Sequence, residues 1–199
     1  MLGLPQSTET RRALPKADFF RKYDLKPAQR TAFDADVARM SFVNALMPQT
    51  LPAIAEGKEV KAIFVIEVEM KRKDFDTKSI ALIARLIPQR IVFALRFEDK
   101  VQLAVYHDKL FTAQWQTVES ATLPLSGLNL DAVWANIVSA IGQFSVESDK
   151  SLSEQIAEDD SRAKIERQIA ALEKQMRATS QTRRQRELYS QIKKLKNIL

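Results

Sequence analysis

Two apolar seams near the C-terminal end constrain this chain more than any other feature. Ile165, Ile169, Leu172 and Met176 are spaced +4, +3, +4, and Leu188, Ile192, Leu195 and Leu199 repeat that spacing. This is the pattern of helices that bury a narrow stripe against a neighbour. The two seams are out of phase, because steps of seven from Met176 reach 183, 190 and 197 while the second seam holds 192 and 199. A break near Thr179–Thr182, with Thr182 and Gln185 placed to form a capping box, turns the segment into a coiled-coil helical hairpin. One long helix with a stutter is the alternative.

Charge is concentrated in the same segment. The chain carries 31 Lys+Arg against 25 Asp+Glu, and from Arg162 onward 11 basic residues face only Glu166, Glu173 and Glu187. Arg183, Arg184 and Arg186, with Lys193, Lys194 and Lys196, form two clusters whose cations suit the phosphates of a nucleic-acid backbone. Tyr189 is the lone aromatic there, so stacking on bases is not expected. The competing reading makes these the solvated faces of a hairpin. On that reading the seam residues Ile165, Ile169, Leu172, Met176, Leu188, Ile192 and Leu195 engage another subunit.

Upstream the pattern changes. Residues 1–30 hold Pro5, Pro15 and Pro27 with little periodicity and read as an extended N-terminal arm, with one helical turn near Phe19–Tyr23. Residues 31–146 read as an α+β core domain. The spacing of Phe33, Val37 and Met40 predicts a helix over about 28–47. Residues 59–71, apolar and β-branched, read as a central strand, and Asp76 or Thr77 opens a short helix that Pro88 ends. Three antiparallel strands follow at 91–97, 101–107 and 110–118. The stripe Trp134, Ile137, Val138, Ile141 and Phe144 then predicts a helix laid on the sheet. The expected fold is therefore a mixed, mainly antiparallel sheet of about four strands covered by helices. Residues 147–199 are the linker and the basic coiled-coil tail.

The residue inventory excludes much chemistry. With no cysteine and a single His, at 107, there is no disulfide framework, no thiolate metal site and no multi-histidine centre. Four glycines leave little for a phosphate-cradling loop, and neither metal nor cofactor is expected. Apolar runs such as 62–66 and 91–95 are far short of the roughly 18 to 20 residues that cross a bilayer. The N-terminal segment lacks the apolar centre of an export signal, so a cytoplasmic location without membrane association is expected.

The sharpest enzymatic lead is Glu67, Glu69 and Lys71. Strand alternation would place all three on one face, at the spacing with which metal-dependent nucleases hold Mg²⁺ and a water-activating ammonium. The acid such a site needs from a preceding strand is missing, since Asp34 and Asp36 fall in a predicted helix. A solvated strand end is the plainer reading. His107, between Tyr106 and Asp108, has no accompanying nucleophile and reads as structural.

Leu4-Pro5-Gln6-Ser7-Thr8-Glu9 followed by Leu14-Pro15-Lys16 resembles the opening of a bacterial family known as a domain of unknown function. The middle segment Ile87-Pro88 with 91–95, and the tail residues Leu172-Glu173, Gln181, Arg184-Gln185 and Glu187-Leu188, resemble the same family. Arg183 and Tyr189 stand where its members usually have Asn. The resemblance implies a neighbourhood of restriction or phage-defence methyltransferases and helicases, and it implies no catalytic residue. The expectation is a non-catalytic accessory subunit whose basic tail binds a protein partner, a helicase or methyltransferase subunit or a second copy, with DNA as a further partner. A nuclease built on Glu67, Glu69 and Lys71 and a homo-oligomeric structural or regulatory protein are the alternatives.

Overall fold

The computed structural model describes residues 2–23, 25–147 and 150–198. The chain divides into two compact units, residues 1–145 and 146–199. The first is an α+β unit on one sheet. Its strands are β1 (Glu9–Ala13), β2 (Val37–Leu46), β3 (Ile63–Met70), β4 (Arg90–Phe97), β5 (Lys100–His107), β6 (Lys109–Thr112) and β7 (Gln116–Thr117). Helices α1 (Lys16–Lys22), α2 (Pro27–Asp36), α3 (Thr77–Leu86) and α4 (Leu130–Gly142) complete it. The spatial order is β1-β2-β3-β4-β5-β6, with β7 also paired to β5. Among the described strands β3 and β4 run parallel, joined by α3, and the other strand pairs are antiparallel.

The sheet has seven strands rather than about four. The segment expected as one helix over 28–47 stops at Asp36, and Val37–Leu46 becomes the longest strand. Val37 and Met40 satisfy a helical spacing, but both flanks of this segment find partners: Arg39 pairs with Glu69 on one side and Ser41 with Ala13 on the other. A ladder on both edges outweighs a weak helical preference. The stretch read as an extended arm supplies the edge strand β1 and helix α1. Its anchor lies in the motif of residues 4–9. Thr8 is buried, its hydroxyl donates to Pro5 O at 2.7 Å, and Asn44 Nδ2 donates to Thr8 Oγ1 at 2.9 Å. The third antiparallel strand, expected over 110–118, is broken into β6 and β7, with Trp115 in the gap.

Alternation along the strands sorts the core into two layers. Ile66, Val68 and Met70 of β3 and Ile91, Phe93 and Leu95 of β4 cluster with Phe19, Phe33, Ile80 and Ile83 from α1, α2 and α3. The other face carries Ile63, Val65, Val92, Leu103 and Val105, all buried, and packs against α4, whose Leu130, Val133, Trp134, Ile137, Val138 and Ile141 are buried. Asn129 caps α4 by accepting from the Ala132 N–H at 3.0 Å, and Asp76 caps α3 by accepting from that of Lys78 at 2.9 Å. Among the described residues of this unit, one charged group is wholly buried. The Asp36 carboxylate accepts from Arg72 Nε at 2.6 Å, from the Asp76 N–H at 3.1 Å and from the Ser79 hydroxyl at 3.4 Å, tying the start of β2 to the start of α3.

The second unit consists of α5 (Leu152–Ala178) and α6 (Thr182–Lys196), which pack on one another. The out-of-phase seams are thus two helices with a break at residues 179–181. Ser151 and Glu154 form a reciprocal capping box at the start of α5. The expected box of Thr182 and Gln185 does not form. Gln181 is the N-cap of α6, and Gln185 Nε2 instead reaches back to donate to Thr179 O at 2.8 Å, satisfying a carbonyl of the turn.

Candidate interaction surface and an arginine-lined cleft

The helical unit brings the expected seam residues together unequally. Ile169, Leu188 and Ile192 are buried, whereas Ile165, Leu172, Met176 and Leu195 keep part of their surface. Leu199 lies outside the described residues. Leu172 and Leu195 line an apolar groove of about 470 Å³ with Ala171, flanked by Gln168, Gln191 and Lys194. A two-helix pair can close only one seam, so the shoulders of its apolar stripe stay open.

The six basic residues of α6 separate into two groups. Arg183 and Arg184 share Glu187, at 3.5 and 3.1 Å, and Lys196 pairs with Glu173 of α5 at 3.0 Å. Arg186, Lys193 and Lys194 are exposed and have no carboxylate within 4 Å among the described residues. Exposed ion pairs contribute little stability, so the paired arginines remain free to exchange partners.

The nuclease arrangement is not assembled. Glu67 and Glu69 do share the α4-side face of the sheet. There Glu69 pairs with Arg39 of β2, and Glu67 lies 3.9 Å from Arg96 of β4. Lys71 lies beyond the end of β3 and leaves that face, its ammonium donating to Asp34 O at 2.6 Å. Asp36, the nearest upstream aspartate, is committed to Arg72 and α3. Among the described residues no group of three carboxylate or histidine side chains could hold a metal ion.

A different constellation occupies one end of the sheet, where β3 and β4 begin and β5 ends. A cleft of about 540 Å³ has Phe64 and Tyr106 among its lining, Ile87 and Pro88 after α3, and the charged residues Glu59, Lys61, Arg85 and Arg90. Arg85 donates from Nε to the Tyr106 hydroxyl at 2.9 Å, and its guanidinium lies 5.4 Å from the centre of that ring. Arg90 stands 5.5 Å from the ring centre of Trp134 on α4, with Nη1 3.4 Å from His107 Nδ1. Trp134 Nε1–H donates to the same nitrogen at 3.1 Å. Two donors on one nitrogen require a lone pair there, so the His107 ring is neutral with its proton on Nε2. Burial, and then the Arg90 charge, push its pKa below the ordinary value, against the opposing pull of Asp108 and Glu59.

The sequence had not singled out Arg85, Arg90, Tyr106 or Trp134 as a group. The legible signal was two arginines flanking Ile87-Pro88 within apolar surroundings, but the contacts of Arg85 with Tyr106 and of Arg90 with His107 depend on the parallel β3-α3-β4 crossover. The loop of residues 57–60 that walls the cleft is held by Asp131. Its carboxylate accepts from the N–H groups of Lys58, Glu59 and Val60 at 2.6, 3.2 and 2.8 Å. Burial disfavours ionisation of Asp131, yet the three donors together outweigh it and hold the carboxyl below its usual range.

The fold and these surfaces define an α+β protein with an appended basic helical pair. The family described as "Domain of unknown function (DUF4391)" matches residues 2–199, and the chain belongs to that family. No curated protein and no solved structure matches it significantly.

Proposed function

We propose that the chain is a non-catalytic interaction subunit of a bacterial DNA-directed assembly of the restriction or phage-defence type. The pair of α5 and α6 is its docking element. The groove at Leu172 and Leu195 takes an apolar helix of a helicase or methyltransferase partner, and the basic face of α6 lies toward nucleic-acid phosphates. The observation that carries this reading is the adjacency, on one helix, of three cations without carboxylates, Arg186, Lys193 and Lys194, and the open apolar shoulder at Leu195. Apolar centres ringed by cations are suited to partners that present both apolar and anionic surface.

Affinity for duplex DNA measured across salt concentration, together with capture of partners from the native host, tests the proposal. Each neutralised phosphate adds roughly 0.9 to the slope of log affinity against log salt. Replacing Arg183, Arg184 and Arg186 with Gln should lower that slope and weaken all sequences equally, since phosphate contacts do not read bases. Leu172→Asp should release a captured helicase or methyltransferase subunit. Absence of DNA binding at low salt, with no partner lost on Leu172→Asp, would refute the docking role.

A further inference from the structure

We infer that the cleft at Lys61, Phe64, Arg85, Arg90 and Tyr106 binds a phosphorylated ligand of about the size of a mononucleotide, its phosphate drawn by the guanidinium charges of Arg85 and Arg90 in the lining. The inference is independent of the docking role of α5 and α6, because every residue it uses lies in the first unit.

Three observations carry it. First, the volume, about 540 Å³, lies within the range of small-molecule sites, roughly 300 to 1,000 Å³. Second, neither Arg85 nor Arg90 has a carboxylate within 4 Å among the described residues. Arg85 stands in the last turn of α3, where helix carbonyls favour a cation by themselves. Arg90 opens β4 and has no such reason to be there. Lys61 is already matched by Glu56 at 2.9 Å, so Glu59 is the one carboxylate in the lining set against two unmatched guanidinium charges.

Third, both arginines are held by neutral groups. A tyrosine ring and hydroxyl orient Arg85; a tryptophan ring and a histidine nitrogen orient Arg90. Neutral supports fix a guanidinium without quenching its charge, which is the arrangement that leaves its fork available to a phosphate. Phe64, Ala62, Ala84, Ile87 and Pro88 give the same cleft an apolar part, so an organic group attached to the phosphate gains contacts that inorganic phosphate cannot.

Calorimetric titration of the full chain at low ionic strength tests this, with inorganic phosphate, AMP and a 5′-phosphorylated single-stranded oligonucleotide as probes. AMP or the oligonucleotide should bind saturably and more tightly than inorganic phosphate. Arg85→Gln and Arg90→Gln should each weaken that binding by roughly tenfold or more, as expected for loss of a charge-assisted contact. Arg96→Gln, outside the cleft, should leave it unchanged, and Arg90→Lys should retain part of it, which separates loss of charge from loss of fold. Binding of AMP assigns the site to free nucleotides; binding of the oligonucleotide alone assigns it to a nucleic-acid end. No saturable binding of any probe at millimolar concentration, phosphate binding as tightly as AMP, or affinities that respond to changes in α6 and not to Arg85 or Arg90, would overturn the assignment.

Discussion

Gly57 and Asp131 approach so closely that a β-carbon on Gly57 would stand 2.3 Å from Oδ1 of Asp131. The contact exists because the Asp131 carboxylate gathers the N–H groups of residues 58–60, and only a residue without a side chain lets the loop close around it. One residue of α4 thereby positions the loop that carries Glu59 and Lys61 to the cleft.

Gly57→Ala should therefore lower stability by about 2 kcal/mol through overpacking. Asp131→Ala should cost about 1 kcal/mol, because water takes over the exposed N–H groups of Lys58 and Glu59 while the Val60 N–H is part-buried. Urea unfolding with an unchanged m-value checks both. Because the folded-state pKa of Asp131 is depressed, its contribution is present above the ordinary carboxyl pKa and is lost as pH falls through the lowered value. The Asp131→Ala variant should lack that part of the acid dependence.

His107 has the opposite charge logic. The ring stays neutral in the folded protein while the unfolded chain takes up a proton near its ordinary pKa of about 6.5. Stability should fall as pH drops below that value and level off once the lowered folded-state pKa is passed. Protonation at Nδ1 also breaks the bond from Trp134, so tryptophan fluorescence should change over the same lower range. A fluorescence midpoint at or above 6.5 would contradict the neutral-ring geometry.

The acids near β3 should respond very differently. Glu69→Ala removes a half-buried carboxylate and Lys71→Ala an exposed ammonium, and each should cost less than about 1 kcal/mol, with any biological activity retained. Asp36→Ala removes a buried carboxylate with three separate partners and should cost about 3 kcal/mol. Loss of activity in Glu69→Ala with unchanged melting, alongside Mg²⁺-dependent DNA cleavage by the parent, would restore the nuclease alternative.

A fragment ending at Ser145 should fold and melt cooperatively, because its sheet and covering helices complete their own core. The measurement is circular dichroism melting of the fragment beside the full chain. Aggregation of the fragment would show that residues 146–199 are needed to complete that core.

Local sequence decided those elements whose partners lie close by. Asp76 and Pro88 bracket α3, the stripe from Leu130 to Ile141 forms α4, and the phase slip between Met176 and Leu188 marks the break between α5 and α6. Each is a matter of capping or of one helical period, which a short window contains. Tertiary structure decided the rest. Val37–Leu46 is a strand because β1 and β3 flank it, and Lys71 departs from Glu67 and Glu69 because β3 ends at Met70. Arg85 meets Tyr106, and Arg90 meets His107, because a parallel crossover sets the ends of three strands side by side. Ladder pairing and the convergence of strand ends are long-range events, and their energies depend on neighbours that no local spacing records.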